Sequence, residues 1–224
     1  DRPMKLDLAC GARCQDGYEG VDLHAPNVRF PVDLTRFPWP WDDASVEGLY
    51  CSHYVEHIPA REVEERDFVK TTARGETGLI VAHRRFHDAI LGRDMFVAFF
   101  DECYRILKPG GEMVVVVPYA RNNRAFQDPT HRRFLVEQTF LHLNAWWRDR
   151  EGLAHYDARC NFGLRFDFLV FSDDTASQLR ALGESKVARD RYLAGWNVID
   201  DLRVTLTKLA LDDRTSLEGG RVVP

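Results

Sequence analysis

Lys5-Leu6-Asp7-Leu8-Ala9-Cys10-Gly11 decides the fold of this chain. Residues Lys5 to Ala9 read as a short strand that runs into Gly11, where a residue without Cβ lets the backbone approach a ligand. Working outward, Glu19-Gly20-Val21-Asp22-Leu23 reads as a second strand and Arg29 to Asp33 as a weaker third. Pro31 interrupts that third strand and places it at an edge. Phe37-Pro38-Trp39-Pro40-Trp41-Asp42-Asp43 is a rigid aromatic turn segment. Gly48-Leu49-Tyr50-Cys51-Ser52 is a fourth strand, with a helix expected after it. Glu112 to Val117 is a fifth, apolar enough to be buried on both faces.

The segments between these strands carry helical patterns. Pro59 to Arg93, rich in Arg and Glu and holding Gly75 and Gly78, reads as an insertion: a polar helix, a loop, then a helix through Leu79-Ile80 and Phe86. Asp94 caps an amphipathic helix whose Phe96, Phe99, Phe100, Cys103, Tyr104 and Leu107 recur at helical spacing. Lys108-Pro109-Gly110-Gly111 stops it. Tyr119 to Arg133 is polar and basic, Leu135 to Trp147 helical, Phe162 to Phe171 an alternating strand, and Asp190 to Leu211 a final helix. The tail from Gly219 reads as frayed. Strands alternating with helices predict an α/β fold, mostly parallel, with helices on both faces, a helical insertion after the fourth strand and a helical C-terminal extension. The 224 residues suit a single domain, with 135–224 on the acceptor side.

Composition narrows the function classes. The chain is 45% hydrophobic and 29% charged, ordinary for a globular protein. No apolar run is long enough to span a membrane and the N-terminus shows no apolar signal region. A net charge of −5 weighs against a large footprint on duplex nucleic acid, while leaving a local basic patch open. Five cysteines without a CxxC pair argue against a disulfide framework or a structural zinc site, and a reducing, cytoplasmic setting is the expectation.

In a doubly wound sheet, ligands bind beyond the carboxyl ends of the strands, near the switch in strand order. The chemically notable residues fall at those ends: Asp7 to Gly11, Asp22, Asp33, Ser52-His53 and Tyr119-Ala120-Arg121. A carboxylate such as Asp22 suits the hydroxyls of a ribose. Asp33 can accept from an adenine amine, with Leu34 against the ring.

Leu6 to Gly11, Gly20-Val21-Asp22-Leu23, Val32-Asp33-Leu34, Ser52-His53-Tyr54-Val55-Glu56-His57-Ile58 and Glu102 to Gly111 together resemble the Rossmann-like S-adenosylmethionine-dependent methyltransferases, in particular their type 11 branch. Ala125 to Phe134 resembles members found in phage and environmental sequences. The resemblance covers Lys5 to Phe140 apart from the insertion. It implies S-adenosylmethionine as cofactor, with Asp7, Ala9 and Gly11 near the methionine moiety; Cys10 and Arg13, on the same loop, are counted with the cofactor site. It implies Asp22 and Leu23 at the ribose, Asp33 and Leu34 at the adenine, and Ser52 and His53 lining the site. Two departures stand out. Ala9 and Arg13 occupy positions where the usual loop has glycines. About ten residues separate Gly11 from Val21, too few for an ordinary helical crossover. The first helix is therefore expected to be vestigial or replaced by a loop, with Arg13 offering the positive charge that a helix N-terminus would otherwise bring.

Several smaller patterns carry competing readings. His53-Tyr54-Val55-Glu56-His57 has the HxxEH spacing of inverted zinc peptidases, but His53 falls at a strand end, so no metal is expected there. His83 and His87 stand at helical spacing on a solvated insertion. Cys51 stands where a cytosine-C5 methyltransferase has its nucleophile, without the preceding proline, and reads as a small buried residue. Asp128-Pro129-Thr130-His131 follows the fifth strand, and His131, with an imidazole suited to proton transfer near neutrality, is a candidate base alongside His53 and Asp128. The same stretch also reads as a capped turn. Arg121, Arg124, Arg132 and Arg133 fit either an anionic acceptor or a solvated loop.

The expected activity is methyl transfer from S-adenosylmethionine to an oxygen or nitrogen of a small acceptor, anionic or nucleotide-like. The alternatives are a catalytically weak methyltransferase-like binding module and a phage nucleic-acid-modifying enzyme. A small molecule is the favoured partner over nucleic acid, with no membrane.

Overall fold

The computed structural model describes residues 3–60, 94–183 and 185–214. Six strands form one sheet in the order β2-β1-β3-β4-β6-β5: β1 (Lys5–Leu8), β2 (Glu19–Val21), β3 (Val46–Ser52), β4 (Leu107–Pro118), β5 (Phe162–Leu169) and β6 (Asp201–Lys208). β1 pairs in parallel with β2 and with β3, and β3 in parallel with β4. β6 is antiparallel to both β4 and β5. The result is a Rossmann-like, mostly parallel α/β sheet with an antiparallel edge.

Burial explains the pairing. Leu6, Leu8, Leu49, Cys51, Met113, Val115 and Val117 are sealed from water, as a parallel sheet covered on its faces requires. Asp94 starts helix α1 (Met95–Ile106) by accepting the Phe96 amide at 2.8 Å, an N-cap that stabilises a helix by about 1 kcal/mol. The helix buries Phe96, Phe99, Phe100, Cys103 and Ile106. Each phenylalanine withdrawn from water contributes on the order of 2 kcal/mol. Phe99 meets Trp39, Tyr54 and Phe100 ring to ring, so the aromatic turn segment is a lid on α1.

Lys108-Pro109-Gly110-Gly111 ends the helix but also lies within β4, where the register against β3 shifts between Val46 and Gly48. Gly110 has φ +73°. A Cβ on Gly111 would sit 2.9 Å from the Lys108 carbonyl and 3.1 Å from that of Glu47. The two glycines thus build a bulge as well as a helix stop.

Four expectations need correction. Asp190 to Leu211 is not one helix. A helix at Lys186–Leu193 is followed by β6, which pairs with β4 and β5 and buries Leu202, Val204 and Leu206. On the strand's other face Arg203 is exposed, Thr205 buried and Thr207 half-buried. Leu135 to Trp147 divides into two short helices, Glu137–Leu141 and Ala145–Arg150, because Asn144 restarts the helix by capping the Trp147 amide at 2.9 Å. Arg29 to Asp33 contributes a single bridge, Phe30 to Val21, rather than a strand. Among the described residues between β3 and the insertion, 53–60, there is one tight helical turn, Val55–His57. The insertion helices, His83 and His87 lie outside the described residues.

The sheet order places the candidate site. β1 leads to β2 on one side and to β3 on the other, so the switch lies between β1 and β3. Leu8 is opposite both Val21 and Cys51, and Ser52 is opposite Val116. The segments after β1, β2, β3 and β4 therefore leave the sheet at one edge. Pro118 is opposite Asp201, which brings the first residue of β6 to that same edge.

Candidate functional site

One half of this edge is a backbone cradle. Ala9 and Gly11 both have positive φ, +56° and +57°. Residues 9–18 form turns with no helix, as the short spacing required. Asp7 is buried, and its Oδ2 accepts the Gln15 amide at 2.7 Å. Burial raises its pKa, with the Gln15 amide and the Cys14 thiol opposing. Asp7 thus anchors the loop that replaces the first helix. Cys14 and Cys10 lie over Gly20, where a Cβ would meet the Cys10 sulfur at 2.9 Å. Burial and then the Asp7 carboxylate push the Cys14 thiol up to about 11. Arg13 is exposed.

Asp22 closes the cradle. Its Oδ2 accepts the Gly11 amide at 3.0 Å, and its Oδ1 accepts the amides of His24 and Ala25 at 2.8 Å each. Burial opposes the charge, but those three N–H groups outweigh it and hold the carboxyl below its ordinary pKa. A carboxylate offers about four acceptor positions, so Asp22 keeps one open. Asp33 is held by the Thr35 hydroxyl at 2.6 Å and the Thr35 amide at 3.0 Å, with Arg36 at 3.2 Å. These contacts also lower its pKa, the hydroxyl foremost. Leu34 is packed in the core, whereas Leu23 is 47% exposed and is the apolar surface beside Asp22. Tyr54 follows His53 and feels both the Asp33 and Asp22 carboxylates; burial above all drives its pKa upward.

The other half is a histidine–carboxylate cluster. His53 has φ +54°, a left-handed conformation uncommon outside glycine. The turn aims its ring between two carboxylates of only 2% side-chain exposure: Nε2 lies 3.2 Å from Asp201 Oδ2, and Nδ1 lies 3.4 Å from Glu56 Oε1. Asp201 and then Glu56 raise the His53 pKa to about 9 against the cost of desolvation, so His53 is a cation near neutrality. A protonated imidazole has no lone pair with which to act as base. Arg124 approaches Asp201 at 3.6 Å.

The segment after β4 folds back over Glu56. The Arg132 and Arg133 amides donate to the Glu56 carbonyl at 2.7 and 3.0 Å. Arg133 binds the Ile58 carbonyl at 2.8 Å and Asp94 at 2.6 Å. His131 donates from Nδ1 to the Ala125 carbonyl at 2.8 Å; a carbonyl only accepts, so the lone pair of the neutral ring resides on Nε2. That Nε2 is 4.0 Å from Glu56 Oε1 and 4.0 Å from Asp128 Oδ2. Thr130 Oγ1 donates to Asp128 Oδ1 at 2.7 Å and contacts His57 Nδ1 at 3.0 Å. His57 and His131 pack edge to face, 4.7 Å between ring centres.

The structure therefore brings His53, His131 and Asp128 together, and puts Asp7, Gly11, Asp22, Cys10 and Ser52 on the same sheet edge. Glu56, His57, Thr130 and Asp201 belong to the cluster as well. The sequence signal for Glu56 and His57 was the HxxEH spacing. That for Asp201 was a charged residue just ahead of the alternating Leu202, Val204 and Leu206.

No family model matches the chain, and no curated protein matches it. Among solved structures it is similar to a SAM-dependent methyltransferase from Archaeoglobus fulgidus, at 16% identity over 92% of this chain and 86% of that one, with a TM-score of 0.47. It is similar to a putative methyltransferase solved with the Haloferax volcanii Trm112 activator, at 14% identity over 94% and 84%, with a TM-score of 0.46. An S-adenosylmethionine-dependent methyltransferase from Mesorhizobium loti matches at 14% identity over 92% and 91%, with a TM-score of 0.45.

Proposed function

We propose that the chain is a methyltransferase that uses S-adenosylmethionine and acts on a small, anionic or nucleotide-like acceptor. The observation that carries this is the meeting, at the β1/β3 switch, of an open backbone cradle with a polar cluster on the acceptor side. A switch point at the carboxyl ends of a parallel sheet is where such folds bind ligands. When bound there, the cofactor supplies an electrophilic methyl group.

Ala9, Cys10 and Gly11 give the methionine end a surface without bulky side chains, and Arg13 offers its carboxylate a cation. The open acceptor position on Asp22 takes one ribose hydroxyl. Leu23 covers the adenine ring, Asp33 accepts its amine, and Leu34 backs this wall from the core. Asp7 acts through the loop, holding it in place. On the other side, Ser52 and His53 orient the acceptor, and the basic Arg121 and Arg124 of the segment after β4 favour a negative one. His131 Nε2, 4.0 Å from Glu56 Oε1, is the candidate base in the metal-free protein, and Asp128 orients that side through Thr130. These roles need no side chain to become covalently attached; the protein positions the reactants and keeps water out.

Calorimetry with S-adenosylmethionine and S-adenosylhomocysteine tests the reading. Binding of both in the micromolar range supports it, and no heat at millimolar ligand overturns it. A second reading, a methyltransferase-like binding module with little activity, is favoured by one observation. Three of the four acceptor positions on Asp22 are already spent on the backbone. Cofactor binding without turnover over a broad acceptor panel would support that reading. Retention of single-stranded DNA by the protein would move the acceptor from small molecule to nucleic acid.

A further inference from the structure

We infer that Glu56, His57 and His131 form a binding site for a divalent transition-metal ion of the zinc class. One ligand atom from each residue lies within 4.8 Å of the others. The group joins the turn after β3 to the segment after β4, 74 residues further on in the case of His57 and His131. The sequence alone showed only the HxxEH spacing; the geometry replaces its first histidine with His131.

Burial points the same way. Glu56 is 1% exposed, and neither of its carboxylate oxygens has a hydrogen-bond partner. An unsatisfied buried carboxylate is among the most costly groups to hold in a fold. His53 relieves it only in part: Nδ1 at 3.4 Å from Oε1 is about 0.5 Å longer than a charge-assisted N–H···O bond, and Oε2 has no partner. A cation between Glu56 and the two imidazoles compensates both oxygens.

The surroundings are those of a metal site. Metal-bound histidines commonly donate their second ring nitrogen to a carbonyl or carboxylate, which fixes tautomer and orientation. His131 does so to Ala125, leaving Nε2 with its lone pair toward Glu56. His57 is steadied by Thr130, itself anchored on Asp128. Two imidazoles and one carboxylate suit zinc, iron(II) or manganese(II) better than calcium or magnesium. At bonds of about 2.1 Å, tetrahedral ligands stand roughly 3.4 Å apart. The 4.0 Å between His131 Nε2 and Glu56 Oε1 thus has to close by a little over half an ångström. Three protein ligands leave a position open, as in catalytic zinc sites. An acceptor oxygen or nitrogen bound at that position would lose its proton more readily through the cation's charge. The binding site itself stands whether or not methyl transfer occurs beside it.

The test uses tag-free, chelator-stripped protein titrated with zinc against a chromophoric competitor, and with cobalt(II) followed by its visible absorption. One equivalent of zinc is expected to bind. His57→Ala, at a half-buried residue, and His131→Ala, at a ring that is 7% exposed, should weaken binding by about tenfold or more while keeping the wild-type circular dichroism. Glu56→Gln should do the same if it folds; the two histidine variants decide the matter if it does not. Zinc bound equally well by wild type and both histidine variants overturns the proposal, as does no binding at 100-fold excess metal. S-adenosylhomocysteine binding measured on the same stripped samples keeps the outcome separate from the methyltransferase reading.

Discussion

His53 Nε2 lies 3.2 Å from Asp201 Oδ2, joining the residue that leaves β3 to the first residue of β6. The pair is lopsided: the His53 side chain is 41% exposed and that of Asp201 is 2%. Removing either partner therefore has unequal consequences. His53→Ala leaves Asp201 with only the more distant Arg124 and leaves Glu56 without its nearest imidazole, and should destabilise the protein by about 1–3 kcal/mol. Asp201→Ala leaves a histidine that water can reach and should cost less. Urea midpoints of the two variants measure the order; a more stable His53→Ala would refute it.

Asp22 links Gly11 to His24 and Ala25 while keeping one acceptor position free. Asp22→Ala should weaken S-adenosylhomocysteine binding by about ten- to a hundredfold, the worth of a hydrogen bond to a charged group. Calorimetry reads this directly. Unchanged affinity would remove Asp22 from the cofactor site.

The Cys14 thiol is raised to about 11 from an ordinary 9.0 by burial and by the Asp7 carboxylate. At pH 8 its thiolate fraction, and so its alkylation by iodoacetamide, should be on the order of a hundredfold below that of an unperturbed thiol. The rate should climb through pH 11. Asp7→Asn removes the negative neighbour and should raise the rate at pH 8. Peptide mapping of the alkylated protein assigns the site.

Gly111 is closed in by two backbone carbonyls that cannot swing away. Gly111→Ala should cost about 1–3 kcal/mol of stability, as overpacking does. Gly17, with φ +83° and open space around it, should respond to alanine only through backbone strain of about 1 kcal/mol. The two denaturation midpoints separate steric from conformational cost.

The parallel half of the sheet was legible because its strands are buried on both faces and end in chemically conspicuous residues: Gly11, Asp22, Ser52. Helix α1 was legible from its phenylalanine spacing and the Asp94 cap. β6 was not. Its Arg203, Thr205 and Thr207 alternate with Leu202, Val204 and Leu206 over too few residues to separate a strand from a helix, and the true helix at Lys186–Leu193 runs just ahead of it. Missing β6 also hid Asp201 and with it the reason His53 is cationic. Glu56 was visible only as a member of a spacing pattern. Its orphaned carboxylate exists only once the chain after Pro118 has folded back over it.

The pairing of β4 with β6 has a kinetic meaning. Glu112 meets Thr207, 95 positions further along the chain, and pairings between such distant segments form late because a long loop must close first. The cradle of Asp7, Gly11 and Asp22 is assembled from neighbours within the first 25 residues. His53 gains its second carboxylate only when β6 docks. During synthesis, the cofactor half of the edge can therefore form well before the acceptor half acquires its charge pattern.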